Sequence, residues 1–357
     1  MFAHAETITS NRIIGGKHAP IGFSDSRSVL WDSSPKFLTC EAARFILRAR
    51  RAMRDLRVKC LSARTMKPAA FRYIAAASLE EALALKSEHG DEAKFLAGGQ
   101  SLIPTMNFRL ARPAVLIDIN NIAALAGIRP SAMATRVGAL TRYRFLQRDV
   151  AFARLFPLIG EALPHIAHPQ IRNRGTIGGN LSHADPASEL PAIALALRAR
   201  FRAESRSGER WIEASDFFVG GLTTDLRPDE MLVEIELPAP RPRTGSCFME
   251  VARRKGDYAI VGMAAMVTLD EQDQCLDVRL SLCGVGETPV DASAAAANLT
   301  GQSLTEAVIG EVAAAVRAMI EPAGSVHASA DYQRHLAFVL TGRVLRTAHQ
   351  RVHDGHR

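Results

Sequence analysis

The sequence predicts an α+β protein built from α/β subdomains and a separate strand-rich domain, and three observations lead there. Between Phe71 and Leu197, short apolar strands alternate with helical patterns across brief connections, as in α/β units. After Phe201 the texture shifts to strands at Met231 to Leu237, Ser246 to Arg253, Ile260 to Leu269 and Leu276 to Val285, followed by two helices. The proline-rich stretch Pro238-Ala239-Pro240-Arg241-Pro242 reads as the linker between the two textures. The expected divisions are 1–65, 66–242, 243–350 and a tail at 351–357.

In chain order, Phe71-Arg72-Tyr73 is a short extended segment, and Ser78 with Glu81 forms a capping box that opens a helix through about His89. Lys94 to Ala97 reads as a buried strand and Gly98-Gly99 as a sharp turn. Gln100 to Ile103 then starts a helical turn with Pro104 in its first positions. Val115 to Ile119 and Thr135 to Ala139 are the next strands. Helices are expected at Arg144 to about Phe152 and Leu155 to Ile166, an irregular segment at His168 to His183, and a helix at Pro186 to about Leu197. Near the end, the Ala-rich stretch Leu304 to Ile320 and the segment Tyr332 to Leu345 read as helices.

Composition narrows the class of function. The chain has 357 residues, 47% hydrophobic and 23% charged, which excludes a disordered or collagen-like chain. Its longest apolar runs fall well short of the roughly 20 residues that cross a bilayer, so no transmembrane segment is expected. The net charge of +7 is concentrated, because residues 1–65 carry 12 Lys and Arg against 5 Asp and Glu, while the rest carries 32 of each. The body therefore shows no nucleic-acid footprint. Residues 1–65 lack a secretory pattern. Their Arg-rich segment Glu41 to Val58 fits an amphipathic helix, a transit or nucleic-acid arm, or a solvated, disordered extension. Alternatively Met66 is the true start and everything before it an upstream addition. The five cysteines, Cys40, Cys60, Cys247, Cys275 and Cys283, form no CxxC pair and suggest reduced thiols in a cytoplasmic protein, with Cys275 and Cys283 on the two strands of one hairpin. No metal site is expected in this chain.

Two glycine segments carry the chemistry: Ala97-Gly98-Gly99-Gln100-Ser101, and Arg172-Asn173-Arg174-Gly175-Thr176-Ile177-Gly178-Gly179-Asn180. Glycines permit tight turns and close backbone approach, and successive N–H groups form a partly positive nest suited to phosphate. Neither segment is a Walker loop or a GxGxxG fingerprint. Each alone fits a plain tight turn; together, with hydroxyl and amide side chains alongside, they point to a dinucleotide.

The runs FLAGGQSL, NRGTIGGNLSHADPASELP and ARRKGDYAIVG, in this order and spacing, closely resemble the FAD-binding medium subunit of molybdenum hydroxylases, the aerobic carbon monoxide dehydrogenase and xanthine dehydrogenase family. The similarity spans residues 66 to about 350. It implies a para-cresol methylhydroxylase-type FAD-binding domain of two subdomains, then a C-terminal domain of three antiparallel strands and a helical bundle. On this resemblance Ala97, Gly98, Gly99, Gln100 and Ser101, with Thr176, Ile177, Gly178, Gly179 and Asn180, bind the pyrophosphate and ribityl chain of FAD. Glu189 places a carboxylate on the cofactor, Leu232 lines the adenine or flavin side, and Tyr258 stacks on the isoalloxazine.

Plainer alternatives stand beside several of these positions. Leu232 lies in an alternating strand where core packing serves equally, and Glu189 sits at a helix start where a carboxylate is stabilised without any ligand. His165, His168 and His183 surround the second segment without metal spacing, which favours loop hydrogen bonding. Arg172 and Arg174 suit a phosphate or a partner surface, and Asp185 stays open. Met249 stands where the xanthine dehydrogenase branch has a lysine beside the flavin, which favours the carbon monoxide dehydrogenase-like branch and weakens NAD as acceptor. The body also lacks the cysteine-rich insertion of a 4-hydroxybenzoyl-CoA reductase-type subunit.

The function implied is electron transfer from the iron–sulfur clusters of a small 2Fe-2S subunit through FAD to a quinone or another acceptor, with substrate oxidised on a molybdenum-cofactor large subunit. A dimer of heterotrimers in the cytoplasm is implied, meeting the inner face of the membrane through its acceptor. A stand-alone FAD oxidase or reductase of the same fold is the alternative. No residue is required as a general acid or base on the organic substrate.

Overall fold

The computed structural model describes residues 66–354, and the readings made for residues 1–65, with Cys40 and Cys60, lie outside the described residues. Strand β1 (Arg72–Ala75) leads into helix α1 (Leu79–His89) through Ser78, whose hydroxyl accepts from the Glu81 amide, while the Glu81 carboxylate accepts from the Ala77 amide. β2 (Ala93–Leu96) and helix α2 (Leu102–Asn107) follow, then β3 (Val115–Asp118). β1 and β2 pair in parallel on either side of β3, whose Val115, Leu116 and Ile117 are buried, as the centre of a small parallel sheet must be.

A second sheet is antiparallel, with β4 (Ile128–Pro130), β5 (Ala134–Gly138), β6 (Arg200–Ser205), β7 (Gly208–Glu213) and β10 (Met231–Pro238) in the order β4-β5-β10-β6-β7. Between its halves run α3 (Tyr143–Arg148), α4 (Val150–Leu155), α5 (Pro157–Ala162), α6 (Pro169–Arg174), α7 (Ile177–His183) and α8 (Glu189–Ala196). The short α9 (Ala214–Phe217) and the small β8 (Phe218–Gly220) and β9 (Thr223–Thr224) complete this part. Phe201 and Ile235 face inward and join Phe217, Leu163 and Leu190 in one core. The other face of the sheet is an ionic lattice. Register places Glu236 opposite both Arg136 and Arg200, and both arginines bond its carboxylate. Trp211 lies under the same two guanidinium groups, at 5.4 and 5.2 Å.

The third sheet orders β11 (Thr244–Ala252), β12 (Ala259–Leu269), β13 (Cys275–Cys283) and the two-residue β14 (Val290–Asp291), so three long antiparallel strands dominate it. Helices α10 (Glu306–Met319) and α11 (Ala330–Asp354) cover one face, packing on Val261, Met263, Ala265 and Val267. The other face meets the helices of the preceding part through Phe248, Ala264 and Met266. Burial on both faces explains why β12 reads as a continuous apolar run. Ser281 donates its hydroxyl to Ala192 O at 2.6 Å and ties β13 to α8.

Several expectations are corrected. The helix expected from Arg144 to Phe152 breaks at Asp149, which caps α4 by accepting from the Phe152 amide, and Pro157 divides the next one. The segment His168 to His183, expected to be irregular, holds the two short helices α6 and α7. Cys275 and Cys283 lie at the two ends of one strand, β13, and not on the two strands of a hairpin. Both are buried and free, as is Cys247.

Candidate functional site

The two glycine segments, distant in sequence, meet. After β2 the chain turns at Gly99, whose φ of +71° suits glycine, and a side-chain carbon on Gly98 would sit 2.6 Å from Arg174 O and 3.0 Å from Gly175 Cα. On the other side, Thr176 caps α7 by accepting from the Gly179 amide at 3.1 Å. Gly178 packs so closely on Ala139 that a Cβ there would overlap it, and a Cβ on Gly179 would lie 3.7 Å from Ala97 Cβ.

The amide groups of the two segments are used differently. In the second segment the N–H of Ile177 donates to Thr141 O, that of Gly178 to Ala139 O, that of Gly179 to the Thr176 hydroxyl, and that of Asn180 to Thr176 O. In the first segment the N–H groups of Gly98, Gly99, Gln100 and Ser101 donate to no acceptor among the described residues. A backbone donor without a partner needs water or a ligand. The first segment therefore offers free backbone donors at Gly98 to Ser101, while Thr176 to Asn180 supply a close wall and polar side chains.

A polar brace that sequence reading missed holds the segments together. Asn120 donates to Ala97 O at 2.9 Å and to Leu96 O at 3.2 Å, and its own side-chain oxygen accepts from Arg142, which also bonds Arg174 O. Asp118 accepts from the Tyr73 hydroxyl at 2.6 Å and from Asn120. Burial works against the Asp118 carboxylate, but these hydrogen bonds and the Arg174 charge outweigh it and hold it below its usual range. The buried ring of Tyr143 lies where a Gly175 Cβ would be, 2.5 Å from its ring edge, and the Tyr143 amide donates to Gly175 O. The available signal was Asp118-Ile119-Asn120 at the end of a buried strand, where polar side chains need a reason to be.

Beyond α7 lies a second group. Asn180 and Ser188 bond each other through both side chains, at 2.8 and 3.0 Å, and the next residue, Glu189, starts α8 at 5% exposure. Burial, reinforced by the nearby Glu250 charge, pushes the Glu189 carboxyl up to about 8. His165 Nδ1 lies 3.0 Å from Glu250 Oε1, a carboxylate whose side chain is 2% exposed, and that bond raises His165 above its ordinary value. His165 thus pairs across to β11 instead of bonding within its loop. Tyr258 is 66% exposed, at the end of a loop that packs on Ala167 and His168 through Gly256.

The remaining sequence candidates separate. Arg172 spends its guanidinium on Ile166 O and Ala167 O, at 3.0 and 2.7 Å, and so serves the loop. His168 stands at the N-cap of α6 and His183 in the last turn of α7. Asp185 accepts from the Ala187 amide ahead of α8. Leu232 is 4% exposed and its side chain packs in the main core. Met249 packs against the C-terminal core. A row of unbonded amides thus faces a braced glycine wall, and the Asn180–Ser188 bond leads from that wall to the buried Glu189.

Comparison with known proteins agrees. Residues 69–240 match the family model described as the FAD binding domain in molybdopterin dehydrogenase, and residues 246–348 match the CO dehydrogenase flavoprotein C-terminal domain. The chain is 43% identical to the 6-hydroxypseudooxynicotine dehydrogenase complex subunit alpha of Paenarthrobacter nicotinovorans, over 79% of this chain and 96% of that one. It is 38% identical to the carbon monoxide dehydrogenase medium chain of Hydrogenophaga pseudoflava, over 79% and 98% of the two chains. A solved structure of carbon monoxide dehydrogenase from the same organism, 38% identical, superposes with a TM-score of 0.77 over 80% of this chain and 99% of that one. The chain belongs to the FAD-binding medium-subunit family of the molybdenum hydroxylases, the oxidoreductase family of the carbon monoxide dehydrogenase medium chain.

Proposed function

We propose that this chain holds FAD between its two glycine segments and passes electrons from the iron–sulfur clusters of a small 2Fe-2S subunit to a quinone or similar acceptor, within a complex whose large subunit carries the molybdenum cofactor. FAD supplies the exchange between one-electron donors and a two-electron acceptor. The chain's own residues bind, orient and shield. The amides of Gly98 to Ser101 hold the pyrophosphate, assisted by the Gln100 and Ser101 side chains. Thr176, Ile177, Gly178, Gly179 and Asn180 form the opposing wall, Glu189 bounds the site, and exposed Tyr258 covers the ring. Leu232 contributes through the shape of its strand. The division into 66–242 and 243–350 assigns cofactor binding to the first part and closure over it to the second. Relatives named for carbon monoxide and for 6-hydroxypseudooxynicotine have comparable identity to this chain, which supports a substrate site on another subunit. Among the described residues no helix is long and apolar enough to cross a membrane, so contact with a membrane acceptor would be peripheral.

The observation that carries this reading is the convergence of unbonded amides at Gly98 to Ser101 on the glycine wall at Gly175 to Asn180. The test is reconstitution of the full chain with FAD, followed by absorption spectroscopy and acid release of the bound flavin. One FAD per chain is expected, with at least a tenfold loss of affinity in Gly98→Val and Gly178→Val, whose folding is checked by circular dichroism. Failure to retain FAD, both alone and with partner subunits, overturns the reading.

A further inference from the structure

A carboxylate taken out of water must find cations or donors, or take a proton. Beside α8 two carboxyls are buried and one cation reaches them directly. Glu250 Oε1 has His165 Nδ1 at 3.0 Å, but Glu250 Oε2 is buried with no hydrogen-bond partner among the described residues. Glu189 makes no ion pair among the described residues, and the groups that face it are Glu250 on β11, Asp185 in the loop ahead of α8, His165 after α5, Tyr143 on α3, Tyr258 and Cys283. Lys255 is the other cation near His165. This group touches the candidate cofactor site at a defined point, since Glu189 follows Ser188, whose side chain is bonded to Asn180 of the second glycine segment.

We propose that His165, Glu250 and Glu189 form one proton-holding unit for the flavin site, with His165 and Glu250 as a closely paired imidazole and carboxyl and Glu189 as the neighbouring acid, and that Glu189 takes a proton from water when reduction makes the bound flavin more negative. The inference rests on FAD binding at the glycine segments. The balance is two electrons from the donor, an iron–sulfur subunit in the complex or dithionite in the test, with one proton to the flavin and a second to the ionised Glu189 carboxylate. No covalent bond is formed to the protein. His165 and Glu250 act as positioning residues, because the Glu250 charge makes Glu189 more basic and His165 limits how far.

The test is the pH dependence of the flavin midpoint potential in the FAD-reconstituted full chain, from about pH 7 to 9.5, spanning the titration of Glu189, with flavin content measured first by acid release. In the wild type the affinity for two electrons should fall a hundredfold per pH unit over part of the range above about pH 8, which is about 60 mV per unit, instead of tenfold or about 30 mV. Glu189→Gln should give the tenfold slope throughout. Glu250→Gln should keep the steep stretch but move it to lower pH by removing the negative neighbour, a shift that a merely structural role would not produce. Identical single-proton slopes in wild type and Glu189→Gln, at equal FAD content, overturn the proposal. A wild type that retains no FAD, both alone and with partner subunits, overturns the flavin reading, and this inference with it.

Discussion

On the outer face of the five-stranded sheet, Glu234 and Glu236 are as deeply buried as Glu189 and Glu250 are beside α8, yet the two pairs meet opposite electrostatic surroundings. The sheet surrounds its carboxylates with arginines: Arg129, Arg136 and Arg202 on Glu234, and Arg136 and Arg200 on Glu236. Burial alone would raise Glu236, but Arg200 and Arg136 outweigh it and hold the carboxyl below its usual range. Beside α8 no arginine approaches Glu189 among the described ion pairs, and burial wins. Full compensation makes a rigid, inert scaffold, whereas a buried acid left without a cation can change its protonation in the neutral range, which is a property of functional sites.

The difference has opposite pH signs. Glu236, with its folded pKa depressed, contributes stability that is present above its unfolded value near 4.5 and is lost as pH falls through the folded value. Glu189, with its folded pKa raised, contributes stability that is present below 4.5 and is lost as pH rises toward about 8.

The largest expected effect comes from stripping the sheet of its cations. Arg136→Met combined with Arg200→Met leaves Glu236 buried and unpaired and should destabilise the chain by about 3–5 kcal/mol at pH 7, read as a lower urea midpoint; an unchanged midpoint would erase the contrast between the regions. Next in size, Glu189→Gln should stabilise the flavin-free chain at about pH 9, on the order of 3 kcal/mol, and have little effect at about pH 4.5. Denaturation curves at the two pH values test this, and a gain of equal size at both would show that charge burial is not the cause. Thr176→Ala should cost about 1 kcal/mol through loss of the α7 cap, and it should weaken FAD retention as well; a drop in stability with retention unchanged would confine Thr176 to capping. The smallest effect belongs to Glu306→Gln, which removes the exposed bond to Arg346 and should leave the unfolding midpoint unchanged within error, as the solvent-screened control.

Much of the architecture was legible because periodicity reports burial. β10 appears as an alternating strand, β12 as an apolar run and α10 as a 3.6-residue pattern. The short helices α6 and α7 were not legible. Gly175 and Gly178-Gly179 lower local helix propensity, and α7 forms because Thr176 caps it while Ile177 and Leu181 reach the core. The site divides in the same way. The glycine segments stood out as local motifs, but Asn120 and Arg142, which join them, carry no motif. The pairing of His165 with Glu250 spans 85 positions and leaves no mark in spacing.

From the sequence alone came the longer strands and helices in their order, the two glycine segments and the family likeness, because turn chemistry, hydrophobic period and motif spacing are properties of neighbouring residues; the short strands β4 and β6 to β9 did not. The tertiary structure alone decided which amides remain unbonded, which arginine reaches which carboxylate, and why Glu189 is left without one. Those outcomes depend on desolvation and on distances of a few ångströms between residues far apart in the chain, and such distances exist only once the chain has folded.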